Sequence, residues 1–306
     1  MKMSSETLCQ GYVTQSRHKN LLIGVALLLL AAMAATGLSV GASSVGPWSA
    51  LQALFVDKGR AHTIVWLLRM PRVVMAMLVG FGLGVAGTVF QAILKNPLAS
   101  PFTLGIGSGA GFGAVVVIIF LDGGLHPYLT AACAFAFSLL SAFLILGVAK
   151  MKRASSETMI LTGIAQMFLF SALSAFFQYM GTMQQVYEIT FWHFGSLSKA
   201  GWREIGFAAL MVLPPFPLLV RHAWDFNLLA TGDESALALG VNVEKLRMWG
   251  VTAASLITAG CICFTGVIGF VGLVAPHIVR MSIGSDHRYL LPASGLVGGL
   301  LVLTAD

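Results

Sequence analysis

Residues 73–94 read VVMAMLVGFGLGVAGTVFQAIL, a run of 22 positions without a single charged side chain. A helix needs about 20 apolar residues to cross the hydrocarbon core of a membrane, so this run can cross it once. Only 10% of the chain is charged, against about 25% in soluble globular proteins. Other charge-free runs lie at 20–56, 96–121, 123–149, 158–187, 205–220, 248–279 and 289–305.

These runs predict an all-α, polytopic membrane bundle formed by one domain over residues 1–306. Apolar residues do not alternate with polar ones as in membrane β-strands, and helices bond their backbone groups internally. The first run is too long for the core of a signal peptide, so we expect it to be retained. We place crossings at about 20–40, 73–94, 103–121, 128–149, 158–180, 205–221, 247–266, 268–282 and from 289 onward.

The basic residues predict an orientation for this bundle. With a cytoplasmic N-terminus, 12 of the 18 lysines and arginines fall on cytoplasmic segments and the other 6 on outer segments. Short cytoplasmic loops carry an excess of lysine and arginine in membrane proteins. The distribution therefore favours a cytoplasmic N-terminus over the opposite orientation.

The acidic residues bear on whether the chain could work as an ion-coupled carrier. Of the 12 acids, only Asp306 lies inside an apolar run. Ion-coupled carriers commonly place an ionisable group within the membrane, so an ion-coupled secondary carrier is the weaker alternative. A phosphate-binding GxxxxGK[ST] loop is absent from the sequence, so the chain is not expected to hydrolyse ATP by that device. Seven scattered histidines do not favour a membrane enzyme, and we expect no metal site.

Small residues predict where the helices pack closely. Gly80 and Gly84 are four residues apart, and residues 105–113 carry glycine at every second position. Small residues one turn apart allow two helix backbones to approach. The same segment loosely matches a dinucleotide-binding pattern but lacks the strand which that pattern requires. Cys261 and Cys263 are expected to be small packing residues.

Two polar stretches adjoin the second crossing. Arg69 and Arg72 bracket a proline on the predicted outer side, which favours a docking site for an acidic partner over simple anchoring to lipid headgroups. Residues 91–101 read QAILKNPLASP, and the two prolines predict a tight turn between crossings.

Two further polar stretches lie in the second half of the chain. Residues 224–247 predict two short helices, with Asp225 capping the first, Thr231 and Glu234 forming a capping box on the second, and Gly240 ending it. Such helices suit contact with a soluble partner, and a solvated connector is the alternative. In residues 269–280, Pro276 and nearby glycines predict an interruption of the apolar run.

In order and spacing, these stretches resemble the bacterial permeases that import ferric siderophores, haem and cobalamin, the type II ABC importers. The resemblance covers nearly the whole chain, through RMPR, AGTVFQAILKNPLASPFTLGIGSGAGFGA, FWHFGSL, ATGDESALALGV, GVIGFVGLVAPHIVR, GSDHRYLLPAS and TAD. It implies about ten crossings per subunit and a homodimer around a central path in the bacterial inner membrane. It also implies cytoplasmic ATP-binding subunits that hold ATP and Mg²⁺, and an extracytoplasmic substrate-binding protein. The chain itself would hold no cofactor, perform no bond chemistry and bind no nucleic acid.

The resemblance also assigns roles to residues. Arg69 and Arg72 would receive acidic residues of the binding protein, and Ser155, Ser156 and Thr158 would form the inner gate. The residues that couple to the ATPase would be Thr231, Gly232, Asp233, Glu234, Ser235, Ala236, Leu237, Ala238, Leu239, Gly240 and Val241. The four-residue spacing of Gln166, Phe170, Ser174 and Gln178 places them on one face of the fifth helix, where lining of the path and core packing are equally open.

The resemblance leaves two further expectations. Family members continue beyond the Ala-Asp of the ninth crossing, so we expect a tenth crossing after Asp306 and a partner for this carboxylate in that segment. The expected cargo is a ferric siderophore, with haem, cobalamin or an oxyanion as alternatives.

Overall fold

The computed structural model describes residues 5–39, 47–53, 59–121, 126–152 and 156–306, and its regular elements in these ranges are helical. They are α1 (Ser5–Ser39), α2 (Pro47–Ala53), α3 (Arg60–Ile64), a π-helical turn (Val65–Arg69), α4 (Met70–Leu94), α5 (Ile106–Phe120), α6 (Pro127–Lys152), α7 (Ser156–Met180), α8 (Met183–Phe194), α9 (Trp202–Val212), α10 (Pro215–Arg221), α11 (Ala223–Ala230), α12 (Asp233–Ala238), α13 (Val243–Thr265), α14 (Val271–Ile283) and α15 (His287–Ala305).

Seven helical segments in the described residues are long and apolar enough to cross a membrane. They lie in α1, α3 to α4, α6, α7, α9 to α10, α13 and α15, while α5 and α14 are shorter apolar helices. These nine segments confirm the predicted all-α bundle and its order of apolar runs. The predicted separation of the seventh and eighth segments is also confirmed, because α13 ends at Thr265 and α14 begins at Val271.

The interruption predicted at Pro276 is wrong, since α14 continues through this residue. Proline cannot donate to the carbonyl four residues earlier, which here belongs to Gly272. That carbonyl lies against Gly87 of α4, so the neighbouring helix covers the group that the proline leaves free. The chain instead breaks at Gly266, which adopts a φ of +72°.

The centre of the bundle is α4, which packs against α9, α13, α14 and α15. Gly80 lies against the backbone of Gly298, and Gly84 lies against the carbonyl of Ser294. A methyl group added at either glycine would overlap that neighbouring backbone. The predicted role of glycine in close helix packing is therefore confirmed.

The same type of contact joins α5 to α6. A Cβ at Gly109 would lie 2.8 Å from the carbonyl oxygen of Phe137, so Gly109 and Gly113 of α5 face the α6 backbone. On α13, Cys261 and Cys263 are buried in the main core, which confirms them as packing residues.

The bundle has two ends that matter for function. One, called here the α12 end, carries α11 and α12, the turn after α4 and the start of α7. The other, called the Arg72 end, carries Arg69, Arg72 and the end of α15. Asp233 contacts Lys95 at the first end, and Asp306 contacts Arg72 at the second.

Candidate docking and coupling sites

The α11–α12 segment forms the two short helices expected from the sequence, but their caps differ from the prediction. Thr231 ends α11, because its hydroxyl donates to the carbonyl of Leu228 at 2.8 Å. Gly232 precedes α12 with a φ of +123°, a conformation that threonine would adopt only with strain. Asp225 lies within the first turn of α11 and contacts His222 at 2.7 Å instead of capping the helix.

The end of α12 is built as a tight turn that presents two leucines. Gly240 adopts a φ of +89°, and the amide of Val241 donates to the carbonyl of Ala236 at 2.9 Å. This arrangement agrees with the prediction that Gly240 ends the helix. Leu237 and Leu239 are 58% and 64% exposed, so α12 offers an apolar ridge outside the bundle.

An ion pair fixes the start of α12. The carboxylate of Asp233 lies 2.5 Å from Lys95 Nζ and 2.9 Å from Arg247 Nη2. Burial raises the pKa of Asp233, but the hydrogen bond from Lys95 and the charge of Arg247 outweigh it and leave this pKa below its ordinary value. Lys95 and Arg247 were not among the residues expected to form the coupling site.

The start of α7 carries the predicted gate residues. Ser155 lies outside the residues that the structure describes. The Ser156 hydroxyl is buried, lies 3.4 Å from the carbonyl oxygen of Ile93 and accepts from Arg247 at 3.2 Å. Thr158, two residues further along, is half-buried. The gate function of these residues stays a prediction.

One face of α7 packs within the subunit. Gln166, Phe170 and Ser174 are buried, and the Gln166 amide oxygen accepts from Ser141 of α6 at 2.9 Å. Phe170 stacks on Phe112 of α5 with ring centroids 5.5 Å apart. Of the two roles left open by the sequence, this burial favours core packing over lining of a path. Gln178, nearer the end of α7, is half-buried.

The opposite face of α7 is the exposed one. Phe168, Phe176 and Tyr179 are more than half exposed, and they lie along the side turned away from α5 and α6. This face, rather than the predicted one, is therefore the part of α7 that the described residues leave uncovered.

At the Arg72 end, the two arginines have different surroundings. Arg69 is nearly buried, and its Nη1 donates to the carbonyls of Leu38 and Ser39 at 2.7 and 3.0 Å. These are among the last carbonyls of α1, which have no partner within their own helix. Arg69 therefore fastens the end of α1 to the bundle.

Arg72 is half-exposed and forms a bidentate pair with Asp306. Its Nε lies 2.6 Å from one carboxylate oxygen, and its Nη2 lies 2.9 Å from the other. Asp306 thus has a partner within the given sequence, on α4. The expected partner in a tenth crossing stays a prediction. Both arginines line a cleft of about 740 Å³. Their docking role stays a prediction.

The crossings predicted from the sequence make residues 181–204 a connecting segment, but the structure places α8 there. Thr182 and Gln185 form a capping box at its start, a pattern visible in the sequence. The Gln185 amide donates to the carbonyls of Ile118 and Ile119 at the end of α5, both at 3.1 Å. His193 lies against Gly111, about two turns deeper along α5. This helix therefore enters the bundle from the Arg72 end, beside a cleft of about 610 Å³.

A second polar cluster joins α11 to the start of α15. Asp286 caps α15, accepts from Asn227 at 2.9 Å and pairs with Arg288 at 2.6 Å. Burial raises the pKa of Asp286, but the hydrogen bonds from Arg288 and Asn227 lower it to about 2. The Asp286 carboxylate is therefore charged at neutral pH and holds α11, and with it α12, against the membrane helices.

Apolar helical segments around α4, an exposed apolar ridge at one end and an arginine-lined cleft at the other define an integral membrane permease. Residues 24–306 match the model of the FecCD transport family, and the chain belongs to that family. It is thus the permease subunit of a type II ABC importer, a class that works with ATP-binding subunits and a binding protein.

Individual relatives agree with this assignment. The chain is 37% identical over 290 residues to the hemin transport system permease protein HmuU of Yersinia pestis, covering 94% of this chain and 86% of that protein. It is 34% identical over 274 residues to the cobalamin import system permease protein BtuC of Halobacterium salinarum, covering 85% and 72%. An inward-facing structure of a metal-chelate type ABC transporter superposes with a TM-score of 0.83 at 31% identity, covering 94% of this chain and 89% of that one.

Proposed function

We propose that this chain forms, as a homodimer in the bacterial cytoplasmic membrane, the path by which a metal chelate enters the cell. The α12 end faces the cytoplasm, where separate subunits bind ATP and Mg²⁺. The Arg72 end faces outward and receives the substrate-binding protein. The chain positions and moves helices and performs no bond chemistry.

The observation that carries this proposal is the exposed ridge on α12. Leu237 and Leu239 project from a short helix whose only buried side chain is Ala236. Exposed apolar ridges next to charged residues are typical of contact surfaces for soluble partners. Ion pairs tie this helix to the membrane helices, so a force applied to the ridge reaches the bundle.

For the cargo we propose a chemical class and, within it, a preferred member. The names of the two relatives give hemin and cobalamin as their cargo. Both are metal chelates, which supports a metal chelate as the cargo of this chain. Within that class a ferric siderophore is the preferred cargo, on the family resemblance alone. Haem, cobalamin and an oxyanion are the alternatives that a binding assay on the cognate binding protein would separate.

Arg72→Glu is expected to lower the ATP hydrolysis that the binding protein stimulates by about tenfold or more. The new carboxylate would face acidic residues of the binding protein, and like charges brought together cost several kcal/mol. The variant also loses the pair with Asp306, so Asp306→Asn, which breaks that pair without reversing the charge at Arg72, is measured beside it. The measurement is ATP hydrolysis by the reconstituted importer as the concentration of binding protein increases. The buried Arg69 is left unchanged, because replacing it would release the end of α1 and test folding instead.

Arg203→Glu is the matched control for this measurement. Arg203 is exposed at the same end of the bundle, in the first turn of α9, and does not line the arginine cleft. The same change of charge there is expected to leave stimulation close to that of the unaltered chain. Stimulation of the Arg72→Glu variant equal to that of the control would refute docking at Arg72.

A further inference from the structure

The carboxylate of Asp233 joins α12 to two membrane helices at once. One oxygen lies 2.5 Å from Lys95, which directly follows α4, and the other lies 2.9 Å from Arg247 in the second turn of α13. Lys95 and Asp233 are 138 positions apart in the chain. Asp233 is the first residue of α12 but makes no cap for its own helix, so its carboxylate is directed to other helices.

Lys95 is held in an uncommon backbone conformation beside this carboxylate. Its φ of +50° is left-handed, and apart from glycine the described residues show only Phe270 with a comparable positive φ. Such a conformation is strained for a residue with a side chain and persists when its surroundings determine it. Here it ends α4 and directs the side chain of Lys95 to Asp233.

Arg247 continues the connection to the start of α7. Its side chain is only 13% exposed, and the same Nη2 that contacts Asp233 donates to the Ser156 hydroxyl at 3.2 Å. That hydroxyl in turn lies 3.4 Å from the carbonyl oxygen of Ile93, near the end of α4. Asp233 is therefore connected through one guanidinium to the residue at which α7 begins.

Apart from these ion pairs, little apolar packing attaches α12 to the rest of the bundle. The helix has six residues, and Ala236 is its only buried side chain. A methyl group buries little apolar area, and burial stabilises in proportion to area. The ion pairs of Asp233 therefore join α12 directly to the end of α4 and to α13, beside its connection through α11.

We propose that Asp233 is a positioning residue that transmits the displacement of α12 to the start of α7 through Lys95, Arg247 and Ser156. This inference rests on the proposed function, because it requires ATP-binding subunits that move α12. It assigns to one carboxylate the connection between the partner surface and the gate. Coupling between two such sites commonly amounts to a factor of about 5 to 150 in an equilibrium.

The test measures how fast a cysteine at the start of α7 is labelled while the ATP-binding subunits hydrolyse ATP. Thr158→Cys is introduced into a chain in which alanine replaces Cys9 and Cys133, while the buried Cys261 and Cys263 remain. The assembled importer, in inside-out vesicles, is labelled with a membrane-impermeant maleimide, with and without ATP and vanadate. ATP hydrolysis and the association of the ATP-binding subunits are measured on the same vesicles.

Asp233→Asn removes the charge and keeps the shape. We expect its ATP-binding subunits to remain associated and to hydrolyse ATP, while the nucleotide-dependent change in labelling rate falls at least about fivefold. Asp233→Glu, which keeps the charge, is expected to recover most of the change. Glu244→Gln, which removes an exposed acid from the first turn of α13, is expected to leave the change intact.

Three results would overturn this inference. An unaltered nucleotide-dependent change in the Asp233→Asn variant would show that the carboxylate does not transmit movement. Loss of the ATP-binding subunits from that variant would make Asp233 a docking contact instead. If labelling of the otherwise unaltered Thr158→Cys chain does not respond to ATP at all, the proposed function fails as well.

Discussion

A chain carrying Leu237→Asp and Leu239→Asp is expected to fold, to insert into the membrane and to lose its ATP-binding subunits. Both side chains are mostly exposed in the permease, so the chain itself loses little apolar contact. In a complex, each buried leucine contributes about 2 kcal/mol, so replacing both weakens association by about 1,000-fold. Two carboxylates in an apolar contact add a desolvation cost to this loss.

The measurement is the amount of ATP-binding subunit that co-purifies with the detergent-solubilised permease, followed by titration of the purified parts. Lys245→Asp is the matched control, since it changes the charge at the same end of the bundle by the same two units. Lys245 is exposed in the first turn of α13, outside the α12 ridge. Equal association of the double variant and the control would exclude α12 as the contact.

Gly84→Ala is expected to destabilise the folded permease by about 3 kcal/mol or more, enough to abolish most of the yield of monodisperse protein. The added Cβ would overlap the carbonyl oxygen of Ser294, and a backbone atom cannot rotate away as a side chain can. Relief would require α15 to move away from α4.

Thermal unfolding in detergent and the elution profile on size exclusion measure this effect. Gly206→Ala on α9 is the matched control, because a Cβ there would meet no atom within 4 Å. Alanine is also the better helix former by about 1 kcal/mol, so this variant should be unchanged or slightly more stable. Equal unfolding temperatures for the two variants would contradict the packing described for α4 and α15.

The order of the helices could be predicted because membrane insertion is decided by long apolar runs. The lengths of these runs and the spacing of Gly80 and Gly84 are local properties, and both agree with the structure. The break after α13 was also predictable, since Gly266 lies where the apolar run exceeds the thickness of one crossing.

Which side of each helix packs on protein could not be predicted in the same way. In a membrane, the side of a helix that meets lipid and the side that packs on protein are both apolar, so hydrophobic periodicity does not separate them. The spacing of Gln166, Phe170 and Ser174 identified one face of α7 correctly but could not show that α5 and α6 cover it. The short helix α8 was missed because its polar residues interrupt the apolar pattern, although its capping box was visible.

The ion pairs could not be predicted because their partners lie far apart in the chain. Arg72 and Asp306 are 234 positions apart, and no local pattern pairs them. The two arginines of the RMPR motif looked equivalent in the sequence, yet one fastens α1 and the other is half-exposed. The separation of Lys95, Asp233 and Arg247 along the chain likewise concealed the connection between α12 and α7.

Uptake by proteoliposomes tests the central claim, ATP-driven import through this chain, most directly. The vesicles contain the permease, its ATP-binding subunits and internal ATP, and the cognate binding protein is supplied outside with a ferric siderophore, hemin or cobalamin. We predict uptake of one of these chelates that stops when ATP or the ATP-binding subunits are omitted. Uptake by the permease alone, driven by an ion gradient without ATP, would contradict the account.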